Sequence, residues 1–408
     1  MRIRILFVSI ALCMGIISNV NAQITTDEIL GQINTITTAV PFLLIAPDAR
    51  AGSLGDVGVA STPDANSMHW NPAKYAFIEK EVGFALSYSP WLRALVNDIN
   101  LAYLTGYYKL NDQQAIAASL LYFTLGEINF RTAENIDDGT YKPYEMALDA
   151  TYSRKLSEKF SGAVALRYIY SNLTLGRYVG GTSSHAGQSV ATDVAMYYVN
   201  DFKLKQGQKA KVGIGLNISN IGAKISYTET TERDFIPTNM RLGTSFSIDL
   251  DNYNRISLMV DVNKLLVPTP PVLKRDEAGN YVDSDSDGEW DIERGEFSNV
   301  SVVSGIFQSF SDAPGGTKEE IREFTYGVGV EYWYDKQFAL RGGYFHEHPT
   351  KGNREYFTLG AGLKYNVFGL DFAYLIPVEQ RNPLENTLRF TLLFDFEAFK
   401  KGSSELNL

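Results

Sequence analysis

The sequence predicts an all-β membrane protein, an antiparallel transmembrane β-barrel of about 14 strands with an N-terminal hatch in its lumen. Three observations carry this. From Glu81 onward apolar and polar residues alternate with period two in fourteen separate stretches. The links between those stretches are tight on one side and long on the other. The composition joins 24 Tyr, 23 Phe and 34 Gly to a mean hydropathy of −0.13. A membrane barrel reconciles these, because only one face of each strand need be apolar.

Residues 1–22 read as a signal peptide. Arg2 and Arg4 form a basic start, Ile5 to Ile17 is apolar, and Val20-Asn21-Ala22 precedes a cut ahead of Gln23. Cys13, the single cysteine, lies inside it, and Leu12 stands where a lipoprotein site needs a small residue. The mature chain is thus expected to lack cysteine, which excludes disulfides, thiol catalysis and thiolate metal sites. Loss of Arg2 and Arg4 leaves 35 Lys+Arg against 47 Asp+Glu, a net charge of −12. That acidity argues against a nucleic-acid partner, which wants a basic stripe. No later stretch reaches the ~18 apolar residues of a spanning helix; Ala39–Ala46 comes nearest and is broken by Pro41.

Residues 23–80 precede the strands. Thr25 and Glu28 are spaced as a capping box and open a short helix with Ile29, Leu30, Ile33 and Ile36 on one side. Leu43–Phe77 then has neither helical nor strand period. Gly52, Gly55 and Gly58 recur every third residue and Pro47, Pro63 and Pro72 punctuate it, which describes compact irregular backbone. By itself the stretch reads as a surface loop. Ahead of a barrel too wide for side chains to fill, it reads as a hatch folded into the lumen. Asp48, Arg50, Asn71 and Pro72 are then its lumen residues, with Asp48 and Arg50 paired to polar groups of the wall. On the lipid side a charge would cost ~2–4 kcal/mol near the midplane.

The barrel is expected over 81–396, with 397–408 a C-terminal tail. The strands are 81–89, 97–108, 114–125, 143–154, 160–171, 188–199, 210–220, 238–249, 254–264, 323–334, 337–346, 354–365, 367–376 and 387–396. Met240, Leu242, Thr244, Phe246 and Ile248, for example, share one face against Arg241, Gly243, Ser245 and Ser247. Stretches of about 9–12 residues suit tilted spanning strands. After the even strands the links are short, as at Asn252-Tyr253, Asp335-Lys336 and Asn366, with Asp201–Lys209 the exception. After the odd strands they are long, and 265–322 is the longest. Long loops belong outside and short turns inside, and closure removes exposed edges.

Three loop features bear on function. Asp283, Asp285 and Asp287 alternate ahead of Gly288, followed by Asp291, as in the first half of a calcium loop; Arg294 stands where its bidentate Glu belongs. The alternatives are a weak extracellular-type Ca2+ site and a solvated acidic loop. Asn299–Ser311 sets Val302, Val303, Ile306, Phe307 and Phe310 at helical spacing, a face that either packs on the barrel mouth or meets a partner. Trp91 and Leu92 pose the same choice, with an interfacial anchor as the alternative. Catalysis is thinly supported. The four His are His69, His185, His346 and His348, no Gly-x-Ser-x-Gly occurs, and the chain is expected not to be an enzyme.

The segment APDARAGSLGDVGVASTPDANSMHWNPAKYAF resembles the hatch of the FadL-like barrel family. With FSDAPGGTKEE, EYWYDKQFALRGGYFHEH and the stretch from GNREYFTLGAGLKYNVF to NPLENTLRF, it resembles more narrowly the PorV family of the type IX secretion system of Bacteroidetes. The resemblance implies a fourteen-stranded outer-membrane barrel without an enzymatic role. It implies binding of the C-terminal signal domains of secreted cargo after they leave an SprA-like translocon. Delivery would be to a surface complex of the PorU sortase with PorZ and PorQ, in contact with outer-membrane lipid. The alternatives are a FadL-like channel for hydrophobic small molecules and a lipid A O-deacylation factor, for which Ser184 and His185 would be the residues to test.

Overall fold

A computed structural model of the protein describes residues 33–396, except 94, 95, 97, 132–134, 136, 180, 181, 205, 206, 230–232, 287, 380 and 381. The expected signal peptide, the start of the N-terminal helix and the C-terminal tail lie outside the described residues.

Fourteen strands form one closed barrel: β1 (Val82–Pro90), β2 (Asn100–Asn111), β3 (Gln114–Thr124), β4 (Tyr144–Lys155), β5 (Phe160–Asn172), β6 (Gly187–Lys203) and β7 (Lys209–Gly222), then β8 (Asn239–Asp249), β9 (Asn254–Leu265), β10 (Phe324–Tyr334), β11 (Phe338–His346), β12 (Glu355–Tyr365), β13 (Phe368–Pro377) and β14 (Leu388–Phe396). Each pairs antiparallel with its sequence neighbour. β14 returns to β1, from Phe396 opposite Val82 to Phe390 opposite Tyr88, so the barrel sheet has no open edge. Every stretch expected from its alternation is a strand, with ends displaced by a few residues. The largest difference is β6, which runs beyond its expected end to Lys203 and lengthens the one long hairpin on the short-turn rim.

The alternation is inside-out relative to a soluble sandwich. In β8, Leu242, Thr244 and Phe246 are exposed on the outer wall, whereas Arg241, Gly243 and Ser247 are buried toward the lumen. Outward aromatics gather at both rims: Tyr108, Tyr152, Phe246, Tyr334 and Phe338 near the short turns, and Tyr88, Tyr122, Tyr168, Tyr326 and Phe357 near the long loops. Leu86, Leu104, Leu148, Leu258, Leu340 and Leu359 fill the band between them. An apolar band between two aromatic girdles is how a barrel presents itself to a bilayer. Among the described residues no helix is long and apolar enough to cross a membrane.

The segment before β1 runs lengthwise through the lumen. At the long-loop mouth the Asn34 N–H donates to the Thr350 carbonyl and the Ala39 N–H to the Phe235 carbonyl. At the short-turn rim the Glu81 carbonyl accepts from Lys109. The expectation of a helix through Ile33 and Ile36 is corrected, because 33–38 carry no helix. Their backbone is tied across the mouth instead, and such tertiary hydrogen bonds override the local apolar spacing.

Candidate functional site

Two regions carry the distinctive chemistry: the packed lumen and the long-loop face. In the lumen, α1 (Ala49–Gly52) is capped by the Asp48 carboxylate, which accepts from the Ala51 N–H at 2.9 Å. That short turn aims Arg50 at the wall. Its guanidinium meets Glu331 of β10 through Nε at 3.0 Å and Nη2 at 2.9 Å, and Asp64 of the hatch through Nη1 at 2.7 Å. Glu331 also accepts from Arg341 of β11 at 2.8 Å, and Arg341 reaches Asp371 of β13 at 2.7 Å. The result is a buried chain of alternating charge that joins the hatch to three strands. A bidentate Arg–carboxylate pair of this kind fixes geometry as well as charge.

Asp48 departs from expectation. Its partners are within the hatch, since its second oxygen accepts from the indole N–H of Trp70, in α2 (Ser67–Trp70), at 2.6 Å. Asn71 does reach the wall, donating to the Met196 carbonyl of β6 at 2.9 Å and to the Val59 carbonyl of the hatch at 3.0 Å. Pro72 is buried at the first position of the short 3-10 helix Pro72–Phe77, where its missing N–H costs nothing. Around them the wall supplies further anchors. Asp261 of β9 accepts from the Gly58 and Val59 N–H groups, and Arg389 of β14 donates to Asp56 at 3.0 Å.

On the long-loop face, α3 (Val302–Gln308) and α4 (Thr317–Arg322) lie in the connection between β9 and β10. Ser301 caps α3 by accepting from the Ser304 N–H. Gly305 is buried so closely against Phe235 and Pro268 that a Cβ would lie 3.0 Å from each ring. With that side seated, Val303 is 64% exposed, Phe307 73% and Phe310 45%, while Ile306 is half-buried. The helix thus both packs on the mouth and presents an apolar ridge.

An ionic clasp fixes the platform under it. Lys264, fully buried at the end of β9, meets Glu323 at 2.6 Å and Glu320 at 3.3 Å. Lys351 meets Glu323 at 3.0 Å and Glu319 at 2.6 Å. Glu319 also accepts from the Asn34 side chain at 3.2 Å, so the N-terminal segment, α4 and the 347–354 loop are locked together. Replacing Lys264 by Met is expected to leave Glu320 and Glu323 underpaired at a cost on the order of 3 kcal/mol. Limited proteolysis should then cut within 266–323 at least ten times faster, with heat-modifiable gel mobility of the barrel unchanged.

Asp312 adds pH dependence to this loop. Burial, with Glu320 and Glu323 nearby, pushes its carboxyl up to about 6, although one oxygen accepts from the Thr269 N–H. A raised carboxyl favours the protonated folded form. Its contribution is therefore complete below about 4, the ordinary carboxylate range, and is lost as pH rises through about 6. Protection of the amides around 266–273 and 310–314, taken relative to their intrinsic base-catalysed exchange, should fall between about pH 4 and pH 7, and Asp312→Asn should flatten that fall.

The remaining sequence candidates are placed as follows. Trp91 packs against the cluster around Val40, Phe42 and Leu101 and against that of Phe345 and Tyr356, which Leu92 also joins. Trp91 therefore covers the start of the hatch, whereas Leu92 packs on the wall and the loop at Leu384. Asp283 accepts from the Ser286 and Gly288 N–H groups and Asp291 from Ser284, so these carboxylates close their own loop. Asp285 is exposed and Asp287 lies outside the described residues. Among the described residues no three His, Cys, Asp or Glu side chains converge to hold a metal ion. The Ser184 hydroxyl donates to the Arg177 carbonyl, and His185 Nδ1 lies 3.1 Å from the Ala186 carbonyl oxygen, so the two side chains are not joined. His346 faces Glu355 and His348 faces Thr350.

Sequence reasoning missed Asp64, Glu331, Arg341 and Asp371, and also Lys264 and Lys351. A signal existed for three of them: Glu331, Arg341 and Asp371 are charges in mid-strand on the polar face. Nothing in the sequence says which charge they meet.

The family model described as "Type IX secretion system protein PorV" matches residues 29–272. Among solved structures, the chain is similar to the toluene transporter TbuX of Ralstonia pickettii, at 11% identity and a TM-score of 0.43, over 86% of this chain and 98% of that one. The toluene transporter TodX of Pseudomonas putida is 11% identical with a TM-score of 0.46, over 86% and 99%. A FadL homologue of Pseudomonas aeruginosa is 10% identical with a TM-score of 0.40, over 89% and 100%. No curated protein matches the chain.

Proposed function

The chain belongs to the PorV family of type IX secretion system proteins, and from that premise we propose that it receives the C-terminal signal domains of secreted cargo from an SprA-like translocon and passes them to a surface complex containing a PorU sortase, PorZ and PorQ. Its part is binding and transfer, with no covalent step of its own and no cofactor. The apolar band and aromatic girdles support a place in a bilayer, and the outer membrane is where such barrels reside.

The observation that carries the binding role is the α3 ridge. Phe307 stands 73% exposed on a short helix that is capped, seated through Gly305 and held above an ionic clasp. An aromatic anchor on a rigid helix suits insertion into a groove of a partner, and such anchors dominate binding energy. The test is affinity purification of the detergent-extracted protein from its own cells, followed by mass spectrometry. Wild-type protein should bring down secreted proteins that share a C-terminal β-domain. Removal of Val300–Ser311 should leave a folded barrel and abolish that recovery. A barrel carrying only lipid or fatty acid would overturn this reading in favour of a channel for hydrophobic small molecules. Altered lipid A in a Ser184→Ala strain would point to the deacylation role.

A further inference from the structure

We infer that the surface meeting the α3 ridge is basic around an apolar pocket, and that charge on the 266–323 loop draws it in. This inference rests on the cargo-binding reading and adds the chemistry of the partner. The loop holds thirteen Asp and Glu against five Lys and Arg, a net −8 in a chain of net −10, so most of the protein's net charge sits on this one connection.

The distribution within the loop sharpens the point. Asp312, Glu320 and Glu323 are buried, and the two glutamates are neutralised by Lys264 and Lys351 in the clasp. Glu277, Asp285, Glu293 and Glu296 are exposed and have no cation partner among the described residues. Of the cations nearest in sequence, exposed Arg294 lies between Glu293 and Glu296 in the chain and offsets one of their two charges, and the other two are already engaged. Lys274 pairs with Asp291, and Arg275 stacks over the Tyr281 ring at 4.4 Å while donating to the Gly279 carbonyl.

Part of this acidic surface lies beside the ridge. The short ribbon that pairs Val272 with Arg294 carries Glu293. Gly295 abuts Pro314 and the Asp312 carbonyl just beyond α3, and the Phe297 carbonyl accepts from Gln308 at the end of α3, at 2.9 Å. Glu296 and the half-exposed Phe297 therefore border the helix. A partner that buries Phe307 must bring its own rim against these carboxylates. An acidic rim would be repelled, a neutral one would strip their water without return, and Lys or Arg complements them. Rim charges of this kind act mainly on association rate and are screened by salt, whereas the apolar anchor sets how long the complex lasts.

The test compares the wild type with two variants of the full chain in detergent. The first, Glu277→Gln/Asp285→Asn/Glu293→Gln/Glu296→Gln, removes the charge and keeps the ridge. The second, Val303→Ser/Phe307→Ser, keeps the charge and removes the ridge. All changes are at exposed positions, and heat-modifiable mobility checks that each barrel is folded. The probe is the most abundant secreted protein that co-purifies with the wild type, purified whole from culture medium. Binding is followed by surface plasmon resonance at 50, 150 and 500 mM NaCl.

The expected result is a wild-type association rate that falls at least tenfold from 50 to 500 mM salt. The charge variant should associate about tenfold more slowly at 50 mM, with little remaining salt dependence. The ridge variant should keep the salt dependence of association and dissociate far faster. Equal association by wild type and charge variant at every salt concentration would overturn the inference while the cargo-binding reading stands. Recovery of no secreted protein by the wild type would overturn both.

Discussion

Replacing Arg50 by Ala is expected to unseat the hatch while the barrel stays folded. Among the described residues Arg50 is the one cation shared by Asp64 of the hatch and Glu331 of the wall, at 2.7 Å and 2.9 Å. Without it Asp64 loses that ion pair, and Glu331 keeps only Arg341, which Asp371 also uses. Breaking a buried pair from one side leaves a desolvated charge behind and typically costs ~3–5 kcal/mol. Strand pairing does not depend on it, so heat-modifiable mobility should persist. The measured change should be conductance in planar bilayers, with a closed wild type and a variant that opens in steps. Arg50→Ala/Glu331→Gln should recover part of the loss, because removing both partners costs less than removing one. A closed, thermally unchanged Arg50→Ala protein would show that the ion chain does not hold the hatch.

Gly343→Val should be as damaging, by shape instead of charge. On β11 a Cβ at Gly343 would lie 2.1 Å from the Leu54 carbonyl carbon and 2.2 Å from the Gly55 nitrogen. Gly329, its cross-strand partner, would place a Cβ 2.6 Å from the Leu54 carbonyl oxygen. The paired glycines make a flat floor on which the hatch backbone rests. The hatch residue is equally constrained, since Gly55 has φ +73° and faces the Tyr344 backbone at 2.5 Å from a would-be Cβ. Backbone on both sides cannot yield as a side-chain end can, so the cost should exceed the ~1–3 kcal/mol usual for overpacking. Gly342→Val is the control. It faces the outer wall with no atom closer than 3.9 Å to the added Cβ, and should be tolerated. Trypsin cleavage at Arg50 and Lys74 would report the difference: rapid in Gly343→Val, and slow in Gly342→Val and the wild type.

If these substitutions behave as expected, the lumen is a built seal, and traffic takes place on the long-loop face. A sealed lumen is compatible with the proposed cargo-binding role, which needs no open path. A conduit needs a path past a segment that here touches the wall through Thr391 at Ala49, Thr358 at Gly55, Asp261 at Gly58 and Ser153 at Ala76.

The strands, their faces and their order were legible in the sequence because each depends on neighbours in the chain. Alternation assigns Leu242 outward and Arg241 inward within a single strand, and short links such as that at Asp335-Lys336 leave adjacent strands no choice but to pair. The Gly and Pro rhythm of Leu43–Phe77 likewise marked a compact segment before the barrel. What it could not give is which distant groups meet. Arg50 and Glu331 are 281 residues apart, and only closure of β14 on β1 fixes the lumen in which they face each other. The same holds for Ile33 and Ile36, whose helical spacing yields to bonds across the mouth, and for Trp91, drawn inward over the hatch. On α3 the apolar spacing was readable, but the seating of Gly305 against Phe235 and Pro268 decides that Phe307 points to solvent. Local periodicity fixes what each element is; the closed barrel fixes where its charges and ridges end up, because long-range partners are set by the geometry of the whole ring.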